Sequence, residues 1–534
     1  MSRRAGEVAL VAAIAGVALW LRLVHLGTPS LWWDELVQIR TAERPLAAVL
    51  GTVRIGVSPN AGSAGAMPAD YLLLHAYLRA TPAPAPERLE AYFRTPACAA
   101  SVAAVLALYI LGRSLFGRAT GALAAWLLAL SLPAILYAAE VRSYSLLTLA
   151  TIVDVAAFAS VVRAPERAAR WLGHLAANVF YVFTGIFGLL VVGVQYVILA
   201  VLGLRGRTSR IGVRAVAASA AALALVLGRY LANTPMGVTY PRNAVVEPLA
   251  VTWASLRFFA ADAMPMVVAF LVALPFTVRA GSRRGGAPIA WAIVLAFGAL
   301  PAIALAIRWK HYYFHERHVL LLLPLFHLVV AAGMLELVRR IDPLRRLVRA
   351  PATRRALEAT ALGVLALALA LPALRTFVAT PHWYFARTKT LRDLAPVTRD
   401  LAAHVSRLPS GAPYLLLAER DTTANAVFSA YLGWYGLADR VTLRSPGVPL
   451  DQVEPLLRGA DGNPAALRLR PAHGLYFGFR ALLGLERQLG DVPARVSHYA
   501  IVGYVTPQEG PDVRRYWNVS VRVPAAIGPS PPRS

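Results

Sequence analysis

Ser30-Leu31-Trp32-Trp33-Asp34-Glu35 and Tyr137-Ala138-Ala139-Glu140-Val141-Arg142-Ser143-Tyr144 are the two places where long apolar sequence gives way to clustered charge. The first stretch follows the first long apolar segment, and the second follows the third. An apolar segment that crosses a bilayer delivers its end to a membrane surface. Two odd-numbered spans deliver their ends to the same surface. Asp34, Glu35, Glu140 and Arg142 are therefore predicted to share one face of one membrane, which is how a membrane-embedded active site is built.

The composition agrees. Of 534 residues, 57% are hydrophobic and 15% charged, whereas a soluble chain carries about 25% charged residues. Apolar runs long enough to cross hydrocarbon recur along the first 376 positions. In a soluble chain the net charge of +26 would point to nucleic acid. Here the arginines lie between apolar runs, as expected for loops on the cytoplasmic side, and nucleic acid is excluded as a partner. Cys98 is alone, so the chain has neither an internal disulfide nor a cysteine metal cluster. The N-terminus, with Arg3, Arg4 and an apolar run, resembles a signal peptide. It lacks a convincing cleavage site and runs into Arg22, so an uncleaved first helix is expected.

Eleven spans are predicted, near 8–26, 96–115, 119–138, 144–162, 171–185, 187–204, 211–230, 263–280, 287–307, 318–338 and 356–376. Reading 171–204 as two spans places every large arginine cluster, including Arg279/Arg283/Arg284 and Arg339 through Arg355, on the N-terminal, cytoplasmic side. Four segments then lie outside: 27–95, the Glu140–Ser143 link, 231–262 and Arg308–Arg317. Residues 1–376 form the membrane module and 377–534 an extracytoplasmic domain. In that domain a strand-like run at Ala412–Ala418, a helix to about Tyr435 and further strand-like runs at Val496–Val505 and Val519–Val523 predict a small α/β fold. The first outer loop is predicted to carry surface helices over Leu36–Leu50 and Asp70–Arg79.

Several outward residues have the right chemistry for a site. Trp32 and Trp33 suit an interfacial belt. Asp34 and Glu35 are adjacent carboxylates, which repel unless a cation, a base or a proton is bound; either can deprotonate a hydroxyl. Glu140 and Arg142 read either as an ion pair capping the fourth span or as a substrate site, for which the planar fork of Arg142 suits a phosphate. Arg308-Trp-Lys310-His311-Tyr-Tyr-Phe-His315-Glu316-Arg317-His318 is the densest outward cationic cluster. It reads either as a belted loop or as a phosphate site led by Arg317 and then Lys310. Asp70 and His75 are secondary site candidates, read first as the solvated face of a surface helix. Asp154, His174 and Asn178 fall inside spans, where polar groups either serve function or bond helix to helix.

Together these stretches resemble a known family. Ser30 through Glu35, Arg94-Thr95-Pro96, Leu111-Gly-Arg-Ser-Leu-Phe116-Gly117 and Tyr137 through Tyr144 look like the GT-C membrane glycosyltransferases. The branch resembled is the bacterial one related to protein O-mannosyltransferases and lipid A aminoarabinose transferases. Arg317-His318 with Pro324 resembles that family's late Arg-Tyr…Pro pattern, with His in place of Tyr. Met67-Pro68-Ala69-Asp70-Tyr71 departs from the His-Pro-Pro that relatives often carry there. The resemblance implies a polyprenyl-phosphate sugar donor, a lipid, glycan or protein acceptor, and transfer with inversion outside the bacterial cytoplasmic membrane. It implies Asp34 as the base with Glu35 beside it. It also implies that outer basic residues hold the lipid phosphate, which fits Arg142 and Arg317; Glu140, Tyr144, Lys310, His311 and His318 are the further candidates for donor-phosphate or substrate contacts.

The chemistry is coherent in itself. A lipid phosphate is a good leaving group, so the reaction needs a base for the acceptor proton and cations for the departing phosphate. No cofactor is required, although a divalent metal can take over part of the cationic work. A transporter or flippase for an anionic polyprenyl lipid would also want outward basic residues. It would be expected to show repeated halves and broken mid-membrane helices, and the sequence carries no repeat. A non-enzymatic scaffold with an outer sensor domain would leave the clustered acids and bases unexplained.

Overall fold

The computed structural model describes residues 3–55, 67–205, 211–233, 247–283, 285–310, 316–340, 414–418, 422–439 and 441–444. It also describes isolated helical positions between 360 and 402 and strand pieces at 470–471, 499–502 and 517–518. Two compact units divide the chain. One comprises Met1–Leu26, Val37–Pro82 and Phe93–Ala379, and the other comprises Gly27–Leu36, Ala83–Tyr92 and Thr380–Ser534.

The first unit is helical. Among the described residues, seven helices are long and apolar enough to cross a membrane: Arg4–Leu23, Pro86–Phe116, Tyr144–Arg163, Val213–Asn233, Met264–Ser282, Ala287–Leu305 and Arg317–Val338. The chain is a multi-pass membrane protein. In order, α1 is Arg3–Leu23, α2 Trp33–Ala42, α3 Leu46–Ile55, α4 Pro68–Ala80 and α5 Leu89–Phe116. Then come α6 Arg118–Leu130, α7 Leu132–Ala138, α8 Tyr144–Arg163, α9 Ala168–Thr184, α10 Gly188–Leu204 and α11 Val213–Asn233. Last are α12 Pro248–Phe259, α13 Met264–Ser282, α14 Ala287–Leu295, α15 Ala299–Lys310 and α16 Leu323–Val338.

The segment read as 171–204 is indeed two helices, α9 and α10, parted at Gly185–Phe187. The helices expected over Leu36–Leu50 and Asp70–Arg79 form as α2–α3 and α4. The run 287–307 stays one span, in which a 3-10 turn, Ala296–Gly298, joins α14 to α15. The run 119–138 is broken, with α6 and α7 meeting at 58°. Pro133, in the first turn of α7, has no N–H to continue the α6 ladder, and Ser131 bridges the bend.

A helix broken inside hydrocarbon leaves carbonyls that no water can reach, and each must find a donor within the protein. Arg22 supplies it. Its side chain is 1% exposed. Its guanidinium donates to the α6 carbonyls of Leu128 at 3.3 Å and Ala129 at 3.2 Å, to Ala18 O at 3.0 Å and to Ser101 Oγ at 2.7 Å. Ser101 Oγ in turn donates to Ala134 O of α7 at 3.3 Å. One cation at the C-terminal end of α6, where the helix dipole favours it, thus ties together α1, α5, α6 and α7.

The centre of the unit is α16. The span containing it is 89% buried, against 22% for Arg4–Leu23, which turns most of its surface outward. The α13–α16 seam is close enough that a methyl group on Gly333 would lie 2.2 Å from Ala273 O, and Thr277 Oγ1 donates across it to Val329 O at 3.1 Å. Between α5 and α6 the chain reverses at Gly117, whose φ of +104° is open to glycine. In the second unit, strands Tyr414–Ala418, Val441–Arg444 and Tyr499–Val502 form a parallel sheet with Tyr414–Ala418 in the middle. A helix, Thr422–Trp434, connects the first two strands. The expected run at Val519–Val523 lies outside the described residues.

Replacing Arg22 with Met should orphan the Leu128 and Ala129 carbonyls and cost about 3 kcal/mol or more. Thermal melts of the detergent-solubilised chain check this. A Met variant that melts with the wild type would show that the α6 break does not depend on Arg22.

Candidate functional site

In the first unit the site is built around the short link between α7 and α8. Arg142 N–H donates to Glu140 O at 2.8 Å, closing a tight turn. Ser143 precedes α8 and accepts from Leu147 N–H at 2.7 Å. The Ser143 hydroxyl also donates to Met67 Sδ at 2.9 Å, which draws the start of α4 to the link. The Arg142 guanidinium sits over the Tyr144 ring, 5.9 Å from its centroid. Tyr137 packs edge-on to Tyr144 at 4.9 Å and reaches Phe258 at the end of α12. Glu140 is fully buried within this shell, while Arg142 keeps part of its surface open.

The first-loop helices bring a second acid to the same place. Gln38 of α2 donates its amide to the Asp70 carboxyl of α4. Burial pushes the Asp70 carboxyl up to about 6, while the Gln38 hydrogen bond and the charge of Arg142 pull it partly back. His75, one turn further along α4, is buried and bonds through Nδ1 to Ala42 O at 2.7 Å. The solvated face expected for His75 is therefore corrected, while Asp70 keeps part of its surface open. Ala42 ends α2, its carbonyl needs a donor, and the imidazole of α4 provides one.

The 3-10 turn Glu316–Leu322 packs against α8 and α12. It carries Arg317 and His318, both half-buried. His318 stacks on Phe187 at 5.7 Å. Lys310 is the last residue of α15; its side chain and all of His311 lie outside the described residues.

Asp34 and Glu35 belong to the second unit and occupy the first turn of α2. Glu35 is fully buried. It accepts the N–H of Trp32 at 3.2 Å, the reciprocal half of a capping box. Asp34 is half-buried beside it, at the helix end where the backbone dipole favours negative charge. The segment that bears them is anchored within its own unit. Leu31 N–H donates to the Tyr431 hydroxyl at 2.8 Å, and that hydroxyl donates to Glu90 Oε1 at 2.8 Å.

Sequence reading missed Gln38 and Tyr431. Each acts across a long separation in the chain, and neither carries a motif of its own. The intramembrane polar residues bond helix to helix. Gln195 Nε2 donates to Asp154 Oδ2 at 2.5 Å, His174 Nε2 meets Gln195 Oε1 at 2.9 Å, and the Asn178 amide donates to Tyr196 Oη at 3.4 Å. Among the described residues no group of three or more His, Cys, Asp or Glu side chains is gathered to hold a metal ion.

No family model matches the chain, and no curated protein matches it by sequence. Solved structures do. ArnT from Cupriavidus metallidurans in the apo state superposes with a TM-score of 0.52 at 12% identity, over 91% of this chain and 95% of that one. ArnT bound to undecaprenyl phosphate gives 0.48 at 12% identity, over 90% and 95%. The archaeal oligosaccharyltransferase AglB from Archaeoglobus fulgidus, in complex with an inhibitory peptide and a dolichol-phosphate, gives 0.48 at 13% identity, over 82% and 64%. At these identities the likeness to ArnT is one of fold.

The raised Asp70 carboxyl makes a stability prediction. A folded acid that holds its proton to about pH 6 rather than 3.8 loses stability as pH rises through that window. Asp70→Asn keeps an acceptor for Gln38 and has no charge to bury. Its melting temperature should gain on the wild type between about pH 4 and pH 7, by the equivalent of about 1–3 kcal/mol. A gap that stays constant across this range counts against a buried, titrating Asp70.

Proposed function

We propose that this chain transfers a sugar from a polyprenyl-phosphate donor to an acceptor hydroxyl on a lipid, glycan or protein. We place the reaction at the outer face of the bacterial cytoplasmic membrane, with the N-terminus and the large arginine clusters on the cytoplasmic side. The observation that carries this reading is the correspondence of fold with ArnT over nearly the whole of both chains. The same membrane surface of the first unit gathers Arg142, Tyr144 and Asp70, and the arginine-bearing turn Glu316–Leu322 packs against α8.

In the proposed reaction Asp34 takes the proton of the acceptor hydroxyl. The oxygen then attacks the anomeric carbon from the face opposite the lipid phosphate. The carbon–oxygen bond to phosphate breaks, the configuration inverts, and the electron pair leaves on the phosphate. Arg142 and Arg317 offset the charge that develops there, which is the work of preorganised cations at a leaving group. Asp34 suits the base because Glu35 is committed to the Trp32 N–H. Glu140 and Tyr144 orient Arg142, while Lys310, His311 and His318 are assigned to the donor headgroup. Asp70 and Gln38 shape the floor of the site. The strands and helix of 414–502 are read as an outer α/β domain whose Tyr431 steadies the acid-bearing segment.

The test is to incubate the purified full-length chain with a radiolabelled polyprenyl-phosphate sugar and a membrane extract as acceptor source. Label appearing in a new product supports transfer. Movement of donor across reconstituted vesicles without turnover supports the transporter reading. A chelator arm asks whether a divalent metal is needed: loss of transfer that returns with added metal would give the metal part of the work assigned to the arginines.

Asp34→Asn should lower turnover by about 10²–10⁴-fold, the usual worth of a positioned base, with unchanged protein abundance. Full turnover in that variant removes the base assignment. Arg317→Ala should raise the apparent KM for the donor by about 10–100-fold, as expected for one charged hydrogen bond. A donor titration that superposes on the wild type would assign the phosphate elsewhere.

A further inference from the structure

At the end of α16 remote from Arg317, three arginines converge on one acid. Glu336 is fully buried. Arg283 Nη1 lies 3.0 Å from Glu336 Oε2, Arg340 Nε 3.4 Å from Oε1 and Arg339 Nη1 3.9 Å from Oε2. α16 is 16 residues long, so this cluster sits about 24 Å along its axis from the Glu316–Leu322 turn, at the opposite membrane surface. The transfer site proposed above makes no use of it.

Two features set the cluster apart from scattered loop arginines. First, the side chains are partly ordered from beneath and partly open from above. Arg283 keeps 52% of its side-chain surface exposed, Arg340 38% and Arg339 30%, although each contacts a carboxylate with no exposure. Second, the charge does not balance. Arg283 and Arg340 set two guanidiniums against the one Glu336 carboxylate, and exposed Arg279 lies one helical turn before Arg283. Like charges held this close repel, and Glu336 cancels only one of them. The backbone helps to hold them: Arg283 follows the last turn of α13 and Arg339 the last turn of α16, where the helix ends favour cations. Arg340 also lies over the Phe276 ring at 6.0 Å.

We propose that the α13–α16 seam, with Glu336 as its anchor, is a binding site for the phosphodiester headgroup of an anionic phospholipid. Both spans end here, so the exposed guanidinium faces lie at headgroup depth, where lipid phosphates are the abundant anions. Basic pockets between membrane helices recognise such headgroups, and the guanidinium fork matches phosphate geometry. Glu336 preorganises the forks, so less side-chain freedom is lost when the lipid arrives. Bound lipid would brace the seam closed by Gly333 and Ala273.

The test uses the full chain in micelles of a neutral detergent, melted with added phosphatidylglycerol, phosphatidylcholine or inorganic phosphate. Phosphatidylglycerol should raise the melting midpoint by several degrees, an effect that shrinks with added salt, and the other two should leave it in place. Arg283→Gln/Arg340→Gln should lose at least half of the rise. Arg214→Gln, which removes one charge from the start of α11 at the same membrane surface, should keep it. If the double variant does not fold, half-exposed Arg283→Gln alone is read in the same way, with a smaller loss. The site is overturned by a double variant with the full rise, by an Arg214 variant with the same loss, or by inorganic phosphate giving the same rise.

Discussion

The architecture of the first unit depends on satisfying a broken helix where there is no water. α6 ends at Leu130 in the middle of an apolar run, and its last carbonyls would face hydrocarbon. Arg22 closes them from α1, and Ser101 passes the connection on to α7. The 58° bend re-aims the chain so that α7 finishes in the Glu140–Arg142 link. Without a donor at this point the third span would run straight, or the break would cost several kcal/mol of unmade hydrogen bonds. The guanidinium therefore fixes where the candidate site begins, although it takes no part in the chemistry. It also explains a cation at the end of the first span, a place where membrane sequences usually spend arginine on the interface.

The same rule governs the other polar groups inside the membrane unit. Asp154, Gln195 and His174 form one hydrogen-bonded chain and Asn178, Tyr196 and Ser219 another, together linking α8, α9, α10 and α11. α9 and α10 are only 17 residues each, and hydrogen bonds between them and their neighbours supply what short apolar faces cannot. Such a network also restricts sliding of one helix against another, because a shift of one turn would strand several buried polar atoms at once. α9 further packs on α4, so the rigidity of this bundle extends to the helix that carries Asp70.

Much of the fold was legible because hydropathy is a bulk property. Twenty apolar residues in a row have few alternatives to a membrane helix, and the split of 171–204 followed from arginine placement alone. The amphipathic pattern of Asp70–Arg79 correctly predicted α4. The bend at Ser131 was hidden, since Ser131-Leu132-Pro133 lies within unbroken apolar sequence and only Pro133 hints at it. The solvated reading of His75 failed for a related reason. A histidine on an amphipathic helix looks wet until a distant carbonyl, Ala42 O, is brought against it, and no local pattern encodes that meeting. Tyr431 is the extreme case, joined to Leu31 across 400 positions. Residues that carry charge in motifs were visible; residues that position them through single long-range hydrogen bonds were not.

On the proposed reading, the candidate site works with few ionisable groups. A lipid phosphate departs readily, so the protein need not hold an acid ready to protonate it. What it must do is keep cations near the departing oxygen and prevent its own acids from cancelling them. The two first-loop acids whose bonds are clearest meet that second requirement differently. Glu35 is committed to the backbone at a helix start, and half-buried Asp70 meets a neutral amide with its carboxyl raised to about 6. On the proposed reading, an ionised Asp70 competes with a substrate phosphate for the field of Arg142. Desolvation raises the Asp70 carboxyl to about 6, so this competition weakens as pH falls toward that value.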